Sequence, residues 1–235
     1  MPPHRAGKPD TGPRARIAIV IDDLGWDPEV ADMLLELDFP LTFAILPSLP
    51  YSESVARRAT QKRREILLHL PMEPQGYPAM DPGKGALLRE MDEETLESLL
   101  LQDLKGIPNP AGVNNHMGSS FTEDERAMRV VLKVLRRRGL FFLDSRTSPH
   151  SVAYEVAKEL GLKAGRRQVF LDNGDQADPA AVEKQIWRLA HIAQKEGRAI
   201  GIGHPHPYTL EALRRTLPQL KADGVEVVPV SRLVD

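Results

Sequence analysis

Two adjacent aspartates, Asp22 and Asp23, end the apolar run IAIVI. Asp is common at such places as a turn former or helix cap. Folding alone does not need two, because neighbouring carboxylates at a buried strand end repel. A metal ligand beside a general base suits the pair, since perturbed groups of this kind cluster at functional sites. His69 and Glu73 stand four apart in LLHLPMEP, where Pro71 and Pro74 argue against a regular helix. His116 follows Asn114 and Asn115 in GVNNHMGSS. A histidine with a carboxylate nearby suits a divalent transition metal. His204, in GIGHPHP, has the pKa range of a proton donor near neutrality, and His206 belongs at the rim. Asp144, in FFLDSRTS, either pairs with Arg146 or orients a catalytic group. Glu73, Asn114, Asn115, Arg146 and His206 are candidates for touching substrate or orienting the ligands.

These residues share a position, the C-terminal end of a short apolar run. The runs are Ile17–Ile21, Leu41–Leu46, Glu65–Leu68, Gly112–Asn114, Leu140–Leu143, Gln168–Leu171, Ala199–Ile202 and Val225–Val230. Most do not alternate with polar residues, as expected of strands buried on both faces of a parallel sheet. Six of them end in Asp, Asn or His, including Asp172-Asn173 after the sixth. In parallel α/β folds the chemistry sits at that edge. Amphipathic segments separate the runs. Thr122–Arg138 opens with a Thr122/Glu125 capping-box spacing and stops at Gly139. Asp178–Lys195 opens on Asp-Pro, and Asp92–Leu104 repeats leucine at helical spacing. The alternation predicts an α/β protein, a distorted (β/α) barrel with about seven parallel strands. A doubly wound open sheet is the runner-up, but its usual phosphate loops are missing and Gly201-Ile202-Gly203 is a lone GxG.

Composition narrows the function. The 235 residues carry 31 Lys plus Arg against 33 Asp plus Glu, so the net basic field of a nucleic-acid binder is absent. There is no cysteine, which excludes disulfides, thiolate ligands and cysteine nucleophiles. A metal therefore rests on His, Asp and Glu. His4, His150 and His191 have plain explanations in the tail, at a helix start and on a solvated helix face. No apolar run is long enough to span a membrane. Residues 1–15 read as a flexible tail or linker, not a signal peptide, and residues 16–235 as the barrel domain.

IDDLG, TFAILP, LLHLPMEP, NNHMGS, FLDSRTS and GHPHP together resemble the divergent polysaccharide deacetylase family, relatives of the chitin-oligosaccharide deacetylases. The resemblance runs from about Arg16 to the C-terminus. It implies a distorted barrel with one divalent metal at its mouth, usually zinc. Carried over, Asp22 is the base, Asp23 a metal ligand, His69 the first histidine ligand and His204 the general acid. The family's second histidine ligand is replaced by Glu73. Either Glu73 completes the site or a histidine from elsewhere does, and His116 is preferred.

The expected activity is metal-dependent removal of acetate from an N-acetylated poly- or oligosaccharide. The family's usual context makes the periplasm or cell envelope the expected location. Two rivals stand beside it. One is a catalytically inactive glycan-binding or scaffolding protein on the same barrel. The other is a different metal hydrolase such as a phosphoesterase.

Overall fold

The computed structural model describes residues 15–172 and 178–235. The expected tail, His4 and Asn173 therefore fall outside the described residues, apart from Ala15. Strands and helices alternate as β1 (Arg16–Leu24), α1 (Pro28–Leu35), β2 (Thr42–Ile45), α2 (Ser52–Gln61), β3 (Glu65–Met72) and α3 (Glu93–Gly106). They continue as β4 (Gly112–Met117), α4 (Glu125–Arg138), β5 (Phe141–Asp144), α5 (Ala153–Glu159), β6 (Ala164–Arg166) and β7 (Val169–Phe170). The chain finishes with α6 (Pro179–Glu196), β8 (Arg198–Gly203), α7 (Pro207–Ala222) and β9 (Glu226–Val227).

Among the described residues the strands form one nine-stranded sheet in the order β6-β5-β4-β3-β2-β1-β8-β7, with β9 added beside β1. Every ladder is parallel, and the sheet curls into a barrel that is open between β6 and β7. The expected α/β barrel is therefore found, with more strands than about seven. The extra strand is β6, whose Ala-Gly-Arg has no β-branched residue to announce it. Gly165 is needed there, because a Cβ would lie 3.0 Å from Val234 Cγ1 and 3.1 Å from Ile200 Cδ1.

Residue parity separates two apolar layers. Ile17, Ile19 and Ile21 of β1 pack outward against the helices, with Leu68, Val113 and Phe142 from other strands. Ala18, Val20, Leu67, Leu143, Ile200 and Ile202 fill the barrel interior. This period of two decides which residues beyond each strand's last apolar side chain look into the barrel mouth.

The helices end largely where expected. Asp178 accepts the Ala181 amide at 2.8 Å ahead of Pro179, and Gly197 closes α6 in the left-handed conformation. α4 corrects the expected cap. Asp124, not Thr122, accepts the Ala127 amide, at 3.0 Å. Thr122 lies in a preceding 3-10 turn and donates its hydroxyl to Gly118 O at 2.8 Å.

Asp103, on α3, is 3% exposed, and its Oδ2 has no hydrogen-bond partner among the described residues. Burial pushes its pKa up to about 7. Its folded-state pKa thus lies above the unfolded value near 3.8, so it stabilises the fold least when ionised. The penalty is absent below about pH 4, grows as pH rises and is complete above about pH 7, reaching roughly 3–4 kcal/mol. Asp103→Asn should therefore raise Tm by several degrees at pH 8 and hardly at all at pH 4, by differential scanning calorimetry. An equal gain at both pH values would refute a buried charge at this position.

Candidate metal and catalytic centre

A regular strand would turn Asp22 and Asp23 to opposite faces. The β1–β2 register instead slips between Ile21 and Leu24, and Asp23 adopts φ +57°. This bulge holds a non-glycine residue in the left-handed region, at a cost of about 1–2 kcal/mol. It brings both carboxylates to one nitrogen. His69 Nε2 lies 3.6 Å from Asp22 Oδ2 and 3.1 Å from Asp23 Oδ1. Backbone strain persists where surrounding structure over-determines it, and functional sites are where it clusters.

His69 follows Leu67 on the interior face of β3 and pairs in register with Asn114 of β4. Its Nδ1 lies 2.9 Å from Asn114 Oδ1, an acceptor, so Nδ1 carries the proton and Nε2 faces the aspartates. The same amide donates from Nδ2 to Asp22 Oδ1 at 2.8 Å. Asn114 thus orients an imidazole and a carboxylate at once, as the sequence suggests it would. Two residues on, His116 places Nδ1 2.9 Å from Asp23 Oδ1 and 3.2 Å from His69 Nε2. Asp23, His69 and His116 offer three donor atoms within 4.8 Å of one another.

Burial disfavours ionised Asp22 and raises its pKa despite His69 and His204. Burial acts on Asp23 too, but hydrogen bonds from His116 and His69 outweigh it and hold Asp23 far below the usual carboxylate range. Burial opposes a charged His69, yet Asp22 and Asp23 prevail and raise its pKa. The cluster is therefore a buried place that favours positive charge. Two imidazole nitrogens and a carboxylate oxygen suit zinc, and a bound metal would take the place of a proton on His69 Nε2 while Nδ1 keeps its proton for Asn114.

His204 continues the interior parity of Ile200 and Ile202 past the end of β8. Asp172 does the same after Phe170 of β7. His204 Nδ1 lies 2.8 Å from Asp172 Oδ1, and its Nε2 looks back to Asp23 Oδ2 at 3.9 Å. Asp172 Oδ2 also accepts the His204 amide at 2.5 Å and the Thr209 hydroxyl at 2.8 Å. Burial works against a charged His204, but Asp172 overrides it and the pKa is pushed up to about 9. In the sequence Asp172 stands at a strand end with no role attached. Arg167 does not stand out there at all, yet its guanidinium lies 3.5 Å from the Phe170 ring centre and donates to Ser145 O and Arg146 O. The signal for Asp172 is its parity with Phe170. Nothing around Arg167 announces it.

The remaining candidates are not brought into the cluster. Glu73 follows the end of β3, and the donor cluster of Asp23, His69 and His116 does not include it. Its carboxylate accepts the Arg89 amide at 2.7 Å and the Ser120 hydroxyl at 3.2 Å. Asn115 has the outward parity of Val113 and clamps strand ends, donating to Met117 O at 2.8 Å and accepting the Ser145 amide at 2.9 Å. Asp144 shares the outward parity of Phe142. It accepts the Arg146 amide at 2.7 Å and the Ser151 hydroxyl at 2.8 Å, so it organises a turn. Arg146 meets Asp144 through its backbone, at φ +49°. His206 is exposed at the rim, stacked on Tyr208 with ring centres 4.8 Å apart. Its donors and those of Asp172 and His204 also lie within 4.8 Å of one another. His150 and His191 are exposed, as expected.

A cleft of about 240 Å³ opens beside Asp23 and His116. Among the described residues no helix is long and apolar enough to cross a membrane.

The chain is 34% identical over 220 residues to the uncharacterized protein YibQ of Escherichia coli, covering 94% of this chain and 67% of that one. Among solved structures it resembles the uncharacterized protein ATU2773 of Agrobacterium tumefaciens, with TM-score 0.89 at 29% identity over 95% of this chain and 91% of that one. The catalytic domain of a peptidoglycan N-acetylglucosamine deacetylase from Eubacterium rectale shares the fold at TM-score 0.57 and 12% identity, over 96% of this chain and 92% of that one. The family profile for divergent polysaccharide deacetylases matches residues 19–234, and the chain belongs to that family.

Proposed function

We propose that this protein is a metal-dependent deacetylase that releases acetate from an N-acetylated glycan. One observation carries the reading. A buried carboxylate outside the donor trio, Asp22, lies 3.6 Å from His69 Nε2, while His204, braced by Asp172, faces the same trio. The arrangement supports a metal-ligand set with a separate base and a separate acid beside it.

Asp23, His69 and His116 would hold the metal, with zinc as the best match to the donors. When bound, the metal lowers the pKa of water from 15.7 toward about 7 and polarises a carbonyl. Asp22 takes a proton from the attacking water, and Asn114 keeps that carboxylate aimed. His204 gives its Nε2 proton to the departing amine, and Asp172 keeps the imidazole protonated and oriented. Acetate and a free amino sugar leave. Such substrates belong to the cell envelope, so the periplasm is the proposed location.

Acetate release from chitin oligosaccharides and peptidoglycan fragments tests the reading. Turnover should disappear after chelation and return with added zinc. A zinc-loaded protein that binds these glycans without releasing acetate would instead be a glycan-binding protein on the same barrel. Asn114→Ala should weaken zinc about 10- to 100-fold in a chelator-competition titration, because His69 loses its orienting partner. Unchanged affinity would show that Asn114 does not position His69.

A further inference from the structure

We propose that Trp26 is the stacking platform for the pyranose ring that carries the acetyl group, an inference that rests on the deacetylase reading. Trp26 is 62% exposed, the most exposed of the large hydrophobic side chains described. Neither the fold nor the proton-transfer chemistry uses it. It stands three residues beyond Asp23 and lines the cleft of about 240 Å³ that Asp23 and His116 also line.

The wall beneath the indole is braced. Gly25 has φ +122°, and a Cβ there would lie 2.9 Å from Ser52 Oγ and 3.2 Å from Leu49 Cδ1. Ser52 donates its hydroxyl to Leu46 O at 2.6 Å and accepts the Leu49 amide at 3.1 Å. The Tyr51 amide reaches Gly25 O at 3.1 Å. Close packing thus fixes the backbone from which the indole projects, beside the candidate metal ligands.

The cleft's chemistry favours a sugar. Its lining combines the apolar Leu46, Pro47, Leu49 and Trp26 with the polar Asp81 and Lys84. A pyranose has one face of C–H bonds and a rim of hydroxyls, which matches a lining of an aromatic side chain together with hydrogen-bonding groups. Asp81 and Lys84 bear opposite charges, so the pair favours a neutral ring. The volume lies below the range of about 300–1,000 Å³ usual for drug-sized ligands, so it admits one ring.

The chain has two tryptophans, so Trp187→Phe leaves Trp26 as the sole indole reporter. The zinc-loaded Trp187→Phe protein is titrated with tri-N-acetylchitotriose, following indole emission and acetate release. A saturable emission change is expected. Adding Trp26→Ala should lower kcat/KM about tenfold, mainly through KM, with zinc content unchanged. Trp26→Phe should recover part of the loss. Turnover that is indifferent to Trp26→Ala would overturn the platform and leave the deacetylase reading standing. Saturable emission without acetate release would support the platform and sink the turnover reading. Neither signal would sink both.

Discussion

Replacing Asp22 by Asn should lower the rate of acetate release about a thousandfold while zinc stays bound at one per chain. The amide cannot accept a proton, so the general base is lost. The local geometry survives, because an Asn side-chain oxygen at position 22 still accepts the Asn114 amide that now donates to Asp22 Oδ1 at 2.8 Å. Asp22 is also 2% exposed, and burial disfavours its ionised form more than His69 and His204 favour it, so removing its charge relieves that desolvation. The variant should therefore fold at least as stably as the parent. Steady-state turnover and elemental analysis on one preparation separate the roles. Loss of zinc would make Asp22 a ligand, and turnover within tenfold of the parent would place the base elsewhere.

The second large effect concerns His204. His204→Ala should cost about 100- to 1,000-fold in kcat/KM by removing the proton given to the leaving amine. Asp172→Asn is the more informative change, because it leaves the imidazole in place. Asp172 holds the pKa of His204 at about 9 against the opposing effect of burial. A general acid works only while protonated, so parental activity should persist through neutrality and fall as pH rises through about 9. Without the Asp172 carboxylate, the alkaline limb of the kcat/KM profile should move down toward the ordinary histidine value near 6.5. The linked stability has the same sign. The contribution of charged His204 is complete below about pH 6.5 and disappears as pH rises through the folded-state value. An alkaline limb that does not move in Asp172→Asn would show that His204 is not the acid.

The barrel and its active edge are largely legible in the sequence, because buried parallel strands leave apolar runs and the polar residue ending each run marks the edge. Asp22, His69, His116 and His204 were readable for that reason. Which neighbours turn inward was not readable. Asn114 and Asn115 look alike as letters, yet strand parity sends one to His69 and the other to a turn. Asp144 lies outside the cluster for the same reason, since it continues the parity of Phe142, which packs toward the helices. The bulge that unites Asp22 with Asp23 depends on a register slip between β1 and β2, a tertiary feature with no local sequence mark. Glu73 copies the spacing of a family ligand motif from His69, but it falls past the end of β3 and outside the donor cluster. Asp124 displaced Thr122 as a helix cap because a 3-10 turn consumes Phe121–Glu123 first.

Metal content measured by elemental analysis, on protein purified without chelator and then supplied with zinc, tests the central claim most directly. Parent, Asp23→Ala and His69→Ala are compared. The parent should hold one zinc per chain and both variants should hold almost none, because each removes one of three donors lying within 4.8 Å of one another. A parent that binds no zinc, or variants that keep it fully, would contradict a metal centre at Asp23, His69 and His116.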